Sequence, residues 1–242
     1  MIEEERAVQQ VVDGHRALAT AGHGDMIWGH LAIRDPKGRG VWSKAAGWGM
    51  EEVTAERVVL VSFDGDVLFG DGSRHLEAFI HTELMRARPD VNATVHTHAL
   101  AATSFASLDI PLRPLTHAAT PFLATGDVPR FTETGDLIRS AALGASLARA
   151  VGDDNGCLIP GHGLVTVGAD VSAAVLHAVL LDNACNAALL AAAAGGPRRW
   201  SSDAEVEAKR TGLWPPTAAR SAFDYLVRRA DRRADRITEG TS

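Results

Sequence analysis

Two histidines separated by a single residue can place two imidazole rings on the same side of a strand. His96 and His98 lie in the run 91–98, whose alternating pattern predicts a strand. Residues two apart in a strand point to the same face, and their backbones lie roughly 7 Å apart, so both rings could converge on one metal ion. Two polar residues on a solvated strand face would give the same pattern, and the pair alone does not decide between these interpretations.

A third histidine, His162, stands between two glycines that interrupt the apolar runs 157–159 and 164–167. Glycines permit a sharp turn and a close approach of the backbone, which would free the ring to point into a cavity. The alternative is a surface loop residue, which fits less well between two core strands. Three neutral imidazoles with open coordination positions are typical of a catalytic metal site. The sequence therefore predicts a divalent ion, zinc, manganese, iron or cobalt, held by His96, His98 and His162.

Glu77 is the candidate proton carrier for such a site, because metal-assisted chemistry at carbon needs a group that moves a proton. It lies in a predicted helix over 74–88, beside an apolar stripe that starts at Leu76, and would there point inward at the sheet. The alternative is an exposed glutamate paired with His81, four residues later. Spacing alone slightly favours this alternative.

The elements that must position these residues alternate irregularly along the chain. Amphipathic spacing predicts an opening helix and short apolar runs predict strands, one of them over 26–34. The Asp-Gly pair at 64–65 predicts a tight hairpin. The pattern favours one central, mostly antiparallel sheet with helices packed against it, an α/β fold. We expect one domain over 1–242, with a helical extension over about 197–242.

Composition excludes several classes of partner. The formal net charge of −6 and the pI near 5.9 give no basic surface for nucleic acid. The longest apolar stretch, 171–194, contains His177 and Asp182, which a bilayer would penalise, so no membrane partner is expected. Cys157 and Cys185 lie far apart in apolar surroundings, which indicates thiols in a reducing compartment and predicts a cytoplasmic protein.

Three separated motifs, in this order, resemble the class II aldolase/adducin superfamily over roughly residues 5–195. The resemblance implies that His96, His98 and His162 bind the metal, and that Glu77 is the acid/base, which can also touch the ion. It further implies an αβα arrangement around an antiparallel sheet and a homotetramer with sites near subunit interfaces. The motifs are Glu77-x-x-x-His81, the run from Arg88-Pro89-Asp90 to His96-Thr97-His98, and Gly161-His162-Gly163-Leu164-Val165.

The positions that grip a substrate phosphate in the family's aldolases are Gly29-His30 and His75-Leu76 here. A leucine cannot bind a phosphate oxygen, so this grip is missing. Segments 29–36, 74–77 and 115–117 instead resemble the branch containing 3,4-dihydroxyphthalate and pyridine-dicarboxylate decarboxylases. That likeness implies metal-dependent decarboxylation of a hydroxylated aromatic dicarboxylate, with conversion of 3,4-dihydroxyphthalate to protocatechuate as the expected reaction.

Further side chains are candidates for contact with this small aromatic carboxylate. They are His30, His117 and Lys44, and no functional role is assigned to the remaining histidines. Two alternatives stay open. The chain could be a retro-aldol lyase that acts on a hydroxy-acid or sugar derivative with the same metal and Glu77. It could also be a non-catalytic adducin-like interaction module, but such modules are expected to lose the metal histidines.

Overall fold

The computed structural model describes residues 3–239, and the side chains of residues 3–233. Helices and strands alternate irregularly along the described chain, as the sequence predicts. The helices are α1 (Glu3–Thr20), α2 (Ala78–Ala87), α3 (Leu100–Ala106), α4 (Ala141–Val151), α5 (Val171–Ala193), α6 (Asp203–Leu213) and α7 (Pro216–Glu239). The strands are β1 (His30–Arg34), β2 (Gly40–Lys44), β3 (Val58–Ser62), β4 (Val67–Phe69), β5 (Ala93–Thr97), β6 (Gly156–Ile159) and β7 (Gly163–Gly168).

The strands form one sheet in the order β4-β3-β2-β1-β5-β7-β6. Its neighbouring strands pair antiparallel throughout, which confirms the predicted sheet. Strand β5 is an interior strand, fifth in this order, and its His96 stands opposite His30 of β1 and opposite Val165 of β7. The interior position buries both faces of β5, and His96 is fully buried.

Helices cover both faces of the sheet, so the αβα arrangement is confirmed. Successive side chains of β1 point to opposite faces: Leu31 packs into the core formed with α1, α3 and α5, and Ala32 into the core formed with α2 and α4. Val95 belongs to the first core. His96, the next residue, therefore points to the side of the sheet that carries α2.

Two predicted boundaries are wrong, and both lie beside the candidate site. The strand expected from Met26 begins only at His30, because residues 25–28 form a tight turn and Gly29 has a φ of 70°. The helix expected from residue 74 begins at Ala78. The segment before it is held by other contacts, since the Arg74 side chain donates to the Gly65 carbonyl at 2.6 Å.

Helix α5 is, by length and composition alone, apolar enough to cross a membrane. In this structure it is a core helix. It begins at Asp170, whose carboxylate accepts the Ala173 N–H at 2.8 Å, and its residues from Val171 to Ala188 contribute to the buried core against the sheet. The buried face explains the apolar composition.

The C-terminal helices pack onto the rest of the chain. Arg16 of α1 pairs with Asp231 of α7 at 2.8 Å, and the Trp214 indole donates to the Thr120 hydroxyl at 3.0 Å. A capping box at Ser202 starts α6. The expected division into one domain with an extension over about 197–242 stays a prediction.

His15 ties α1 to the sheet as a neutral ring. Its Nδ1–H donates to the Val11 carbonyl at 2.7 Å, and its Nε2 accepts the Leu31 N–H at 3.0 Å. Burial lowers the pKa of His15 to about 3. The unfolded ring takes up a proton near pH 6.5, so this stabilisation is complete above that pH and is lost as the pH falls toward 3.

The variant His15→Gln should therefore show a weaker dependence of stability on pH. Between pH 7 and pH 5 its free energy of unfolding should fall by about 2 kcal/mol less than that of the wild type. At pH 7 the variant should be less stable by about 1–3 kcal/mol, because one amide group cannot both donate to the Val11 carbonyl and accept the Leu31 N–H from the positions of the two ring nitrogens. Urea unfolding at both pH values measures the two effects, and equal pH dependence in both proteins would contradict the role given to His15.

Candidate metal centre

Four side chains from three separate parts of the chain meet on the α2 side of the sheet. One ligand atom from each of Glu77, His96, His98 and His162 lies within 4.8 Å of every other. His96 is the buried fourth residue of the five in β5, and His98 follows directly after that strand. His162 comes from the turn between β6 and β7, and Glu77 from the residue before α2. The structure thus brings together the four residues that the sequence singles out.

The turn that carries His162 depends on the glycine at each side. Gly161 has a φ of 72°, in the region that other residues rarely adopt. A Cβ at Gly163 would lie 2.4 Å from the Thr97 carbonyl oxygen, so only glycine lets the turn approach the end of β5. The His162 N–H closes the turn by donating to the Ile159 carbonyl at 3.0 Å. Together these features hold the His162 ring beside the rings of β5.

The imidazole nitrogens that point into the group have no hydrogen-bond partner. The Nε2 atoms of His96, His98 and His162 are all sealed from solvent and unpaired within the described residues. A sealed, unpaired polar atom costs about 1–3 kcal/mol, which a bound cation would offset. Three such atoms facing one point are the observation that fits a divalent metal ion.

Two of the rings are oriented through their other nitrogen. The Nδ1 of His96 lies 2.9 Å from the Leu164 carbonyl, and the Nδ1 of His98 lies 2.9 Å from the Asp25 carboxylate. Both partners accept a hydrogen bond, so the ring proton sits on Nδ1 and the Nε2 lone pair is free to bind a metal ion. Asp25 is a site residue that the sequence gave no reason to choose.

The Glu77 carboxylate stands across from two of the rings. Its oxygens lie 3.6 Å from Nε2 of His96 and 3.5 Å from Nε2 of His162. These distances are long for hydrogen bonds, but two ligands at about 2.0–2.2 Å from one ion lie about 3 to 3.5 Å apart. The Ile138 N–H, at 2.8 Å, fixes the carboxylate. Burial raises the pKa of Glu77, but the adjacent His162 and His96 rings outweigh that effect and hold the pKa well below its usual range.

A second layer of basic side chains lies behind His96. The His30 ring packs 5.2 Å from the His96 ring and 4.5 Å from the His75 ring, measured between centroids. The Nδ1 of His30 bonds to Nε2 of His81 at 2.6 Å. His30, a predicted substrate contact, therefore adjoins the metal site. His75 and His81, to which the sequence assigned no function, belong to the same layer.

Lys44, another predicted contact, is fully buried at the end of β2. Its ammonium group lies 2.9 Å from the Ile27 carbonyl, 2.7 Å from the Trp48 carbonyl and 3.0 Å from Nε2 of His75. Burial lowers the pKa of Lys44 to about 8, so the group is mainly charged at neutral pH. All three of its donors are used within the chain.

His117 is the predicted residue that the structure does not bring into this group. It is exposed at the start of a short 3-10 helix, His117–Phe122. Its backbone carbonyl accepts the Thr120 hydroxyl at 2.8 Å, and the described residues give its ring no partner. A contact between His117 and substrate stays a prediction.

Known proteins resemble this chain over most of its length. The model of the family described as class II aldolase and adducin N-terminal domain matches residues 9–189, a range that includes all four residues of the group. The 3,4-dihydroxyphthalate decarboxylase of Arthrobacter keyseri is 32% identical over 205 residues, which cover 79% of this chain and 81% of that protein.

A second relative and a solved structure extend the likeness. Decarboxylase NovR of Streptomyces niveus is 32% identical over 176 residues, which cover 72% of this chain and 64% of that protein, so the match spans less than two thirds of NovR. The structure of L-fuculose 1-phosphate aldolase from Glaciozyma antarctica PI12 superposes with a TM-score of 0.82 at 26% identity. That superposition covers 96% of this chain and 90% of the aldolase.

Proposed function

Because the chain belongs to the class II aldolase and adducin family, we propose that it is a metal-dependent decarboxylase of a hydroxylated aromatic dicarboxylate. The observation that carries the proposal is the set of three sealed, unpaired imidazole nitrogens facing the Glu77 carboxylate. The relatives named decarboxylases support the reaction class, and the name of the Arthrobacter relative supports 3,4-dihydroxyphthalate as the substrate. Loss of the carboxylate next to a hydroxyl would give protocatechuate.

We assign His96, His98 and His162 as metal ligands. A divalent ion held there would act as a Lewis acid toward an oxygen next to the carbon that loses carbon dioxide. Three neutral rings leave the charge of such an ion uncancelled, and they suit zinc, manganese, iron and cobalt alike. His98 is held in place by Asp25, and His96 by the backbone of β7.

Glu77 moves the proton. Its low pKa makes it a carboxylate before substrate arrives, so it first accepts the proton of a substrate hydroxyl. Glu77 then gives that proton to the ring carbon that carries the departing carboxylate, and the former hydroxyl oxygen becomes a ketone oxygen. The bond to the carboxylate breaks, carbon dioxide leaves, and the electron pair passes through the ring onto that oxygen, which regains a proton from solvent. The Ile138 N–H keeps the carboxylate aimed during both transfers.

The side chains around the site suit an aromatic acid better than a sugar phosphate. His30 and His75 stand where the family's aldolases grip phosphate, and Leu76 is exposed and apolar. Met26 and Trp28, near Asp25 in the chain, are also exposed apolar residues. Lys44 is proposed to act by holding His75, since its donors are all used; its predicted substrate contact, like that of His117, stays a prediction.

A retro-aldol lyase is the second candidate, because the structure of an aldolase superposes closely on this chain. The same ligands and Glu77 would serve that reaction. An adducin-like interaction module is disfavoured, because such a protein would not need the sealed ligand nitrogens. We further propose a cytoplasmic homotetramer, on the family's usual assembly.

A carbon dioxide release assay on a panel of dihydroxylated aromatic dicarboxylates tests the proposal. Chelated protein should be inactive, and adding back a divalent metal should restore release from 3,4-dihydroxyphthalate. If every dicarboxylate were inert while a hydroxy-acid was cleaved to an aldehyde, the retro-aldol function would replace the decarboxylase.

Replacement of Asp25 should lower the affinity for the metal ion more than it lowers the rate of the reaction. Replacing a carboxylate that orients a ligand histidine typically lowers metal affinity by about 10- to 100-fold. Asp25→Asn should therefore bind zinc that much more weakly in a competition titration with a chelating dye. Asp224→Asn is the matched control, because Asp224 pairs with Arg220 within α7 and takes no part in the four-residue group. Unchanged affinity in Asp25→Asn would contradict the role given to the Asp25–His98 bond.

A further inference from the structure

Behind the metal ligands runs a buried chain of hydrogen bonds that starts at Thr94. The Thr94 hydroxyl lies 2.6 Å from Nδ1 of His81, and Nε2 of His81 lies 2.6 Å from Nδ1 of His30. Thr94, His81 and His30 are each no more than 2% exposed, and among the described residues no carboxylate bonds to either ring. Burial without a counter-charge keeps both rings neutral, so each carries a single proton.

The chain of contacts decides which nitrogen of His30 carries its proton. If the Thr94 hydroxyl donates to His81, then His81 donates from Nε2 to His30, whose own proton must sit on Nε2. In the reverse arrangement the Thr94 hydroxyl hydrogen would need another acceptor, and the described residues offer none. An unpaired buried hydroxyl is costly, so the first arrangement prevails. His30 therefore presents Nε2–H, which has no partner within the described residues.

Lys44 determines which nitrogen of His75 carries the ring proton. An ammonium group can only donate, so Nε2 of His75 must accept from Lys44 and the proton of the His75 ring sits on Nδ1. That Nδ1–H also has no partner within the described residues. Neither it nor Nε2 of His30 is among the sealed nitrogens of the structure. The two rings lie 4.5 Å apart, and His30 is 5.2 Å from His96.

We propose that His30 and His75 form a donor pair, Nε2–H of His30 with Nδ1–H of His75, that binds a substrate carboxylate beside the metal site. Thr94, His81 and Lys44 are positioning residues, because they fix the two tautomers without touching substrate. A carboxylate only accepts hydrogen bonds, and such bonds to a charged acceptor are the stronger ones. The substrate class named here rests on the proposed function, whereas the tautomers do not.

Tautomers can be measured directly. In protein labelled with ¹⁵N at histidine, long-range proton–nitrogen couplings should show His30 protonated at Nε2 and His75 at Nδ1. Thr94→Val removes the hydroxyl and keeps the shape, and should abolish the preference at His30, while Thr94→Ser should keep it. A wild-type His30 protonated at Nδ1, or a preference that survives in Thr94→Val, would overturn the proposal.

Binding of benzene-1,2-dicarboxylate, which lacks a ring hydroxyl, tests the pair in the metal-loaded protein. His75→Phe removes the donor, whereas His75→Asn offers an amide N–H near the position of Nδ1 and serves as the matched variant. Calorimetry should show affinity about 10- to 100-fold lower for His75→Phe, and near the wild-type value for His75→Asn. Equal affinities in the two variants would overturn the proposal.

This outcome can be separated from a failure of the proposed function. Catechol carries no carboxylate, so its affinity should be the same in His75→Phe and His75→Asn. If no substrate is decarboxylated but the dicarboxylate still discriminates between the two variants, the donor pair stands and the reaction is wrong. If decarboxylation is found and the variants do not differ, the reaction stands and the donor pair is wrong.

Discussion

Replacing His162 with alanine is expected to remove tight metal binding and to lower kcat/KM for decarboxylation by at least about 10³-fold. The reason is that a Lewis acid supplies several kcal/mol of stabilisation, and each 1.36 kcal/mol is a factor of ten in rate. His162 lies on a turn instead of a strand, so its removal leaves the sheet intact. Metal content after dialysis and steady-state kinetics measure the two effects.

His177→Asn is the matched control for this variant. His177 is another largely buried histidine, and its Nδ1 bonds to the Val167 carbonyl at 2.7 Å, away from the four-residue group. Asparagine can repeat that bond, so metal content and activity should stay near the wild-type values. Wild-type metal affinity in His162→Ala would show that the ring is not a ligand.

The variant Glu77→Gln should retain the metal ion and have a much lower kcat for decarboxylation. Glutamine has the same shape and its carbonyl can still accept the Ile138 N–H, but it cannot move a proton. General acid–base groups typically contribute about 10²- to 10⁴-fold, so kcat should fall by that factor. Metal content should remain near one ion per chain, as measured by elemental analysis.

Glu83→Gln is the control for Glu77→Gln. Glu83 is a nearly buried carboxylate on α2, the helix that follows Glu77, but it pairs with Arg86 at 3.3 Å and is not part of the four-residue group. Its replacement should leave kcat near the wild-type value, because Glu83 does not reach the reacting atoms. A Glu77→Gln enzyme that kept its metal and worked within tenfold of the wild-type kcat would remove Glu77 from the proton path.

Local sequence patterns were enough to predict the antiparallel sheet and to select His96, His98 and His162 as candidate metal ligands. Alternation of side chains puts His96 and His98 on one face whatever surrounds the strand. The glycines beside His162 indicate a tight turn, and the structure gives each a separate reason, a positive φ at Gly161 and the close approach to Thr97 at Gly163. Such rules need no knowledge of which strands pair.

The second layer could not be predicted, because it depends on contacts between residues far apart in the chain. His30 meets His81 across 51 positions, and Asp25 meets His98 across 73. A buried neutral histidine and an exposed one look the same in a sequence. One signal was available: His81 follows Glu77 by four residues, a helical spacing, and a strand register placing His30 opposite His96 would have brought His30 and His81 to the same side of the sheet.

The sequence pattern predicts the start of α2 four residues too early, at residue 74 instead of Ala78, for a related reason. Leu76 matches the apolar spacing of a helix, yet it is 61% exposed and precedes the helix. The contacts of Arg74 with Gly65 and of His75 with Lys44 hold this segment outside the helix. Glu77 consequently lies at the helix start, where the Ile138 N–H can reach it.

X-ray absorption spectroscopy of the cobalt- or zinc-loaded protein tests the central claim most directly. The spectrum should show three imidazole nitrogens in the first coordination sphere at about 2.0–2.1 Å, together with oxygen donors. At metal concentrations high enough to load the weakened sites, each of the substitutions His96→Ala, His98→Ala and His162→Ala should remove one imidazole from the coordination sphere. A metal bound with fewer than three imidazoles in the wild type, or a sphere unchanged by these substitutions, would contradict the account.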